Sequence, residues 1–293
     1  MIKALHLFSG GLDSILSYRI LQESEVYAEA IFFETPFFSS EKPVDYGKRN
    51  KIKVRVINIF SEYISILKTP NYGYGKNLNP CIDCHALMIN KACEIAIKEN
   101  YDIVTTGEVL GQRPMSQTRG GLLKQEKLLK HREMVFRVLS HKINKNNEKI
   151  KDIKKINLSG RGRTIQNKMA EERNIKEYQS PSGGCLLTYK EYSYKAKALL
   201  LKNFVEERYF YIIKNGRFLE FKDAVVITGR DEKDNAMLLS LRKGEKAFQI
   251  KTGKGPIALV IGEISEDETN SLKENLLSYS KKNKDEKNLI YSI

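Results

Sequence analysis

Two groups of residues in this 293-residue chain have types and spacing that could do chemistry. The first is Phe8-Ser9-Gly10-Gly11-Leu12-Asp13-Ser14, which follows an apolar, strand-like run and opens a helix-like one. Adjacent glycines let a backbone turn tightly and approach an anion; Ser9, Ser14 and the amides of a helix's first turn can then hold a phosphate. A loop lysine and a third glycine at the required offset are both missing, so the motif is neither the Gly-Lys-Ser/Thr loop nor the dinucleotide fingerprint. Asp13 would repel a phosphate unless a divalent cation stood between them, which points to a nucleotide carried with Mg²⁺.

The second group is built on cysteine. Asn79-Pro80-Cys81-Ile82-Asp83-Cys84-His85 sets two thiols three apart at a helix start, and Cys185 follows Gly183-Gly184 far downstream. Sparse cysteines in this spacing suggest metal, cluster or redox chemistry more than a disulfide framework. Amides at a helix start favour thiolates and should lower the pKa of both thiols. Three converging thiolates could hold three irons of a four-iron, four-sulfur cluster and leave the fourth open. They could also form three ligands of a tetrahedral zinc completed by His85 or Cys93. Cys93 falls on the apolar face of its helix and reads as core, and His85 reads as a helix-start residue.

Elements that must position these groups follow from periodicity. Residues 3–8, 26–35, 53–60, 101–107 and 135–139 read as strands, with helical patterns at 12–21, 64–67 and 85–99. Strand–helix alternation of this length predicts a parallel α/β sheet wrapped by helices, with ligands at the carboxyl ends of its strands. Residues 142–155 read as an insertion or mobile connector, 164–173 as a short helix, and Ser180-Pro181-Ser182-Gly183-Gly184 as a turn. From about residue 190 the pattern becomes α+β, with a helix at 192–202 and strands at 210–213, 224–227, 247–250 and 257–261; residues 281–287 read as a frayed, charged tail. Two domains are expected, 1–185 and 186–293.

Charge separates the regions further. The formal net charge is +14, and residues 142–176 alone hold 11 basic against 4 acidic groups, a net +7. A concentrated basic stretch beside a catalytic domain suits a polyphosphate backbone; Arg161, Arg163, Lys168 and Arg173 are the candidate RNA contacts. No run of 18 apolar residues exists to span a membrane, and the chain opens directly on strand-like sequence, so a soluble cytoplasmic protein without a signal peptide is expected.

The loop Ser9-Gly10-Gly11-Leu12-Asp13-Ser14 resembles the S-G-G-x-D-S loop of the PP-loop ATP pyrophosphatases. The run Thr106-Gly107-Glu108-Val109-Leu110-Gly111-Gln112, continuing to Ser116-Gln117-Thr118, is similar to the tRNA 4-thiouridine synthetases, although Arg113-Pro114-Met115 makes its gap one residue longer. The C-x-x-C with a distant third cysteine resembles iron–sulfur and persulfide-dependent tRNA thiolases. This resemblance covers roughly residues 1–185. It implies an adenine nucleotide alpha-hydrolase-like, doubly wound sheet with a smaller α+β C-terminal domain. Its loop would grip the pyrophosphate of ATP while an α-phosphate is attacked. Ser9, Gly10, Gly11, Asp13, Ser14, Phe33, Gly107, Gln112 and Gln117 would then line the ATP site, with Asp13, Cys81, Cys84 and Cys185 as catalytic residues. Residues Gly229-Arg230-Asp231-Glu232 with Asn235 resemble an RNA-binding domain appended to such thiolases and found in ribosome-associated proteins.

The expected reaction is adenylation of a tRNA uridine carbonyl, followed by its replacement with sulfur. Cofactors would be ATP, Mg²⁺ and a 4Fe-4S cluster held by Cys81, Cys84 and Cys185, ahead of zinc or persulfide chemistry. Partners would be tRNA and a sulfur donor, either hydrosulfide or a persulfide from a cysteine desulfurase; a homodimer is allowed. Competing readings are a PP-loop ligase acting on a small acid, of deazapurine or amide synthetase type, and a non-catalytic RNA-binding adaptor.

Overall fold

A computed structural model describes residues 1–144, 150–180, 184–250 and 255–279, and the backbone of 290–292. The chain divides into two compact units, Met1–Leu186 and Leu187–Ile293.

In the first unit the order is β1 (Lys3–Leu7), α1 (Leu12–Glu23), β2 (Tyr27–Glu34), α2 (Glu41–Arg49), β3 (Val54–Asn58) and α3 (Phe60–Lys68). Then come α4 (Cys81–Lys98), β4 (Ile103–Thr106), α5 (Arg119–Leu128), β5 (Val135–Arg137) and α6 (Thr164–Glu172). The five strands form one parallel sheet in the order β3-β2-β1-β4-β5. The chain leaves β1 in one direction and returns to its other side at β4. The carboxyl ends of β1 and β4 therefore flank the crevice where a doubly wound sheet binds ligands. The expected fold class is the observed one.

Apolar stripes explain the helices that frame this crevice. On α1, Leu12, Ile15, Leu16, Ile20 and Leu21 are buried; on α4, Ile82, Ala86, Ile89, Ala92, Cys93 and Ala96 are. Cys93 is thus a core residue, as its position on the helix predicted.

Two helices of the first unit escaped the periodicity because they contain helix breakers. In α2, Pro43 lies in the first turn, where its missing N–H costs no intrahelical bond. Gly47 is needed because a Cβ there would stand 2.6 Å from Val54. In α5, a Cβ on Gly121 would meet the Met115 carbonyl at 2.1 Å.

Residues 142–155 are not a mobile connector where the structure describes them. Ile150 and Ile153 are buried in the same core as Ile15 and Leu21. Leu158 N donates to Leu139 O (2.7 Å) and His141 N to Ile156 O (2.8 Å), so the segment returns alongside the extension of β5. Lys and Asn dominate its composition, but isoleucines spaced three apart anchor it.

The second unit has α7 (Lys190–Leu201), α8 (Glu207–Ile212), β6 (Arg217–Glu220), β7 (Ala224–Thr228), α9 (Glu232–Leu241), β8 (Ala247–Ile250), β9 (Ala258–Gly262), α10 (Glu266–Ser278) and β10 (Ile290–Ser292). Its antiparallel sheet runs β10-β8-β9-β7-β6. The strand expected at 210–213 is instead the end of α8. A Tyr-Phe-Tyr-Ile-Ile run satisfies strand propensity, but burial of Tyr209, Phe210, Ile212 and Ile213 along a helical turn decides otherwise. The tail at 281–287 and most of the turn at 180–184 lie outside the described residues. Among the described residues no helix is long and apolar enough to cross a membrane.

Candidate active site

The glycine loop joins β1 to α1. Gly10 adopts φ +72°, and a Cβ there would stand 2.9 Å from Pro43 Cα, so only glycine fits this turn without strain. Gly11 caps α1 in an extended conformation. Ser14 Oγ donates to Gly11 O (2.8 Å) and accepts from Ser9 N (3.2 Å), which holds the loop's curve. Below it, His6 on the central strand is fully buried. Burial lowers its pKa to about 4, against a hydrogen bond to Ser14 O that raises it. The ring is neutral, so Nε2 donates to Ser14 O (2.9 Å) and Nδ1 accepts from Thr105 (2.9 Å), tying β1, β4 and the first turn of α1 together.

Gly107 ends β4 against the same turn. A Cβ there would meet the Asp13 carbonyl carbon and oxygen at 2.8 Å, so the glycine sets how closely the two strand ends approach. Glu108, the next residue, is buried among His85 Nδ1 (2.9 Å), Gln125 Nε2 (3.0 Å) and Arg137 Nε (3.1 Å). Burial alone would raise its pKa; the hydrogen bond from His85 and the charges of Arg137 and His85 overcome that and hold it down at about 2. Glu108 and Arg137 were not marked as site residues, and their signal was a charged side chain at the end of each of two buried strands. His85 is a first-turn residue of α4 as expected, and it links the cysteine helix to the loop through Glu108 and Gly107.

Asp13 faces the crevice. Burial raises its pKa, against the charges of Arg163 and Arg113 and a hydrogen bond from Gln166. Arg163 Nη2 lies 3.6 Å from Asp13 Oδ2, while Oδ1 is buried and makes no hydrogen bond. An unsatisfied buried carboxylate oxygen beside a phosphate-type loop fits a bound cation. Gln112 and Gln117 are both buried at this edge. The Gln112 amide donates to Gly160 O (2.8 Å) and accepts from Arg163 Nε (2.8 Å), whereas Gln117 Oε1 has no partner. Phe33 is buried in β2, one residue before its carboxyl end.

Four basic residues were expected to face RNA, and the structure divides them. Arg161 and Lys168 are exposed. Arg173 forms a two-pronged ion pair with Glu23 (2.7 and 3.0 Å), and Arg163 faces Asp13.

The thiols gather around Tyr63. Tyr63 is 1% exposed, packs on Phe37 (ring centroids 5.3 Å apart) and hydrogen-bonds Cys84. Burial, then the nearby Cys185 and Cys81, pushes the Cys84 thiol well above its ordinary pKa. The expected lowering is therefore reversed at Cys84, because desolvation and like charges outweigh the helix start. Asn79 Nδ2 donates to Cys81 Sγ at 3.1 Å. Cys185 lies near them; beside it Leu186 N donates to Phe37 O (2.8 Å), and Gln179 N donates to Gly10 O (2.8 Å). The structure thus brings Cys81, Cys84 and Cys185 into one neighbourhood. Cys93 stands apart, with Sγ 3.9 Å from the His131 carbonyl, and does not complete a zinc site. Among the described residues no three His, Cys, Asp or Glu side chains lie close enough to hold a single metal ion.

Strand order, switch point and two-glycine loop define the first unit as a doubly wound parallel α/β fold. It resembles the tRNA-thiolating branch of the PP-loop ATP pyrophosphatases. A Plasmodium falciparum (isolate 3D7) protein bearing the name tRNA-specific 2-thiouridylase is 29% identical over 125 residues, or 35% of this chain. The match spans 12% of that protein's length. Similar solved structures include a Methanocaldococcus jannaschii protein described as a tRNA methyltransferase subunit (18% identity, TM-score 0.37, 59% of this chain and 76% of that one). Another is a 4-thiouridine synthetase in complex with RNA and ATP (20% identity, TM-score 0.37, 58% of this chain and 50% of that one). Residues 216–292 match the family model of the NFACT protein RNA binding domain.

In that region, the Gly229 turn is a clasp. Asn235 accepts from Ile257 N (3.0 Å) and donates to Gly255 O (3.1 Å), and a Cβ on Gly229 would meet Asn235 Oδ1 at 2.1 Å. Asp231 caps α9 by accepting from Asp234 N (2.8 Å), and Arg230 pairs with Asp234 (2.7 Å).

Proposed function

We propose that this protein is an ATP-dependent tRNA sulfurtransferase. The observation that carries the reading is the short path from thiols to loop: Cys84 adjoins His85, His85 bonds Glu108, and Gly107 packs on Asp13. A phosphate-type loop and three neighbouring cysteines are linked by this path, as activation by ATP followed by sulfur transfer requires.

A uridine carbonyl oxygen is a poor leaving group at neutral pH. Its attack on the α-phosphorus of ATP forms a carbon–oxygen–phosphorus link and releases pyrophosphate, which Ser9, Gly10, Gly11 and Ser14 bind. A sulfur nucleophile then adds to the activated carbon, and AMP leaves with the former carbonyl oxygen. Asp13 would hold Mg²⁺, which supplies charge neutralisation on the phosphates when bound. With hydrosulfide as donor, the thiocarbonyl forms directly. With a persulfide on Cys185, its outer sulfur attacks the carbon. Cys81 or Cys84 then attacks the Cys185 sulfur, freeing the thiocarbonyl and leaving a disulfide that an external dithiol reduces. Cys81, Cys84 and Cys185 would also hold three irons of a 4Fe-4S cluster, and a bound cluster would supply an open iron for hydrosulfide. The match to an RNA-binding family and the exposed Arg161 and Lys168 support tRNA as the substrate.

The test is pyrophosphate release by anaerobically purified protein given ATP, tRNA and sulfide. Release that requires tRNA, with thiouridine formed in step, supports the reading. Release with small acids and none with tRNA overturns it in favour of a ligase. Iron and acid-labile sulfide analysis of the same sample separates the routes: fewer than about three irons per chain with activity retained eliminates the cluster.

A further inference from the structure

We infer that Arg163, carried on the basic segment that follows the sheet, belongs to the nucleotide site, where its guanidinium neutralises the phosphate under attack and Gln112 positions it. The inference rests on the reading that the glycine loop binds ATP.

The segment is docked by a built joint. Ser159 bridges Leu110, and Gly160 N donates to Leu110 O at 2.7 Å. Gly111 and Gly160 both have positive φ (+81° and +88°), and a Cβ on Gly111 would stand 3.2 Å from Gly160 N. Gln112 closes the joint, with one end of its amide on Gly160 O and the other on Arg163 Nε. Both ends of Gln112 are used inside the protein, so its role is to aim Arg163.

The charges around Asp13 explain what the aim is for. Asp13 carries −1 and the guanidinium of Arg163 beside it +1. Arg163 lies 3.6 Å from Asp13, longer than a hydrogen bond, and Asp13 Oδ1 is buried without a partner. Burial, then the charge of Arg163, lowers the pKa of Arg113, against the pull of Asp13. A guanidinium held beyond hydrogen-bond distance of a half-satisfied buried carboxylate forms a poor ion pair and leaves both groups able to meet an anion bound with a cation. A triphosphate with its divalent ion has that composition. Guanidinium also supplies planar, paired donors, which suit the phosphate oxygens on which charge builds during transfer.

The experiment compares Arg163→Ala, Arg163→Lys and Gln112→Leu with wild type. The readouts are ATP binding by equilibrium dialysis and tRNA-dependent pyrophosphate release, with kcat and KM for ATP separated. Arg163→Ala should lower kcat roughly 100-fold, the usual effect of removing one donor to developing charge, with ATP affinity changed only a few-fold. Arg163→Lys should recover part of kcat, and Gln112→Leu should lower kcat about 10-fold through Arg163, with little further loss in the double variant. Wild-type kinetics in Arg163→Ala, or an equal loss in Arg163→Lys and Arg163→Ala, would overturn the assignment and leave the proposed function standing. Failure of wild type to bind ATP would overturn both.

Discussion

The glycine loop of the first unit and the glycine turn of the second are built from similar residue types and satisfy their polar groups differently. In the turn around Gly229, the side chains of Asp231, Asp234 and Asn235 are all satisfied within the unit. In the crevice around Gly10, Asp13 Oδ1 and Gln117 Oε1 are buried with no partner, and two arginines crowd one carboxylate. Thr228, at the strand end before the turn, is the exception on the second side, with an unpartnered hydroxyl. A motif whose polar groups close on one another holds a fold, whereas the one that leaves them open and buried is where we propose that a ligand binds.

Substitutions that separate activity from stability can break this contrast. The largest effect is expected at Asp13. Asp13→Asn should lower tRNA-dependent pyrophosphate release about 1,000-fold, while thermal unfolding stays at or above the wild-type midpoint because a buried, half-satisfied charge has been removed. A large loss of stability instead would make Asp13 a scaffold residue.

Next is His6, whose two nitrogens are both satisfied and which belongs with the scaffold. Its pKa of about 4 in the fold lies below the ordinary 6.5, so the unfolded chain binds the extra proton between those values. Stability from His6 is therefore complete above pH 6.5 and is lost as pH falls through about 4, by roughly 3 kcal/mol in all. Denaturant titrations from pH 4 to 7 should show this slope in wild type and a flatter one in His6→Gln.

Smaller still is Asn235→Ala, which leaves Ile257 N and Gly255 O without partners and should cost about 2 kcal/mol, with kcat for pyrophosphate release unchanged. A drop in kcat without a drop in stability would move this turn to the functional side.

Much of the first unit was legible in the sequence because parallel strands buried on both faces leave continuous apolar runs. The glycine loop, Gly107 and the three cysteines were legible for a different reason: each needs a residue type that few other tasks need. The buried partners of Glu108 and Arg137 and the Arg163 contact were not, since a charged residue in a sequence does not reveal whether it faces solvent or a buried partner far along the chain. The same limit explains residues 142–176, where charge density suggested a solvated footprint. Arg163 and Arg173 turn inward to Asp13 and Glu23, and isoleucines 150 and 153 enter the core. In the second unit, the aromatic run ending in α8 obeyed burial over propensity.

The most direct test of the central claim is mass spectrometry of tRNA nucleosides from cells lacking this protein, alongside cells carrying wild type or Cys185→Ser. The account predicts that one thiolated uridine disappears with the protein, returns with wild type and stays absent with Cys185→Ser. An unchanged set of thiolated nucleosides in the deletion would contradict it.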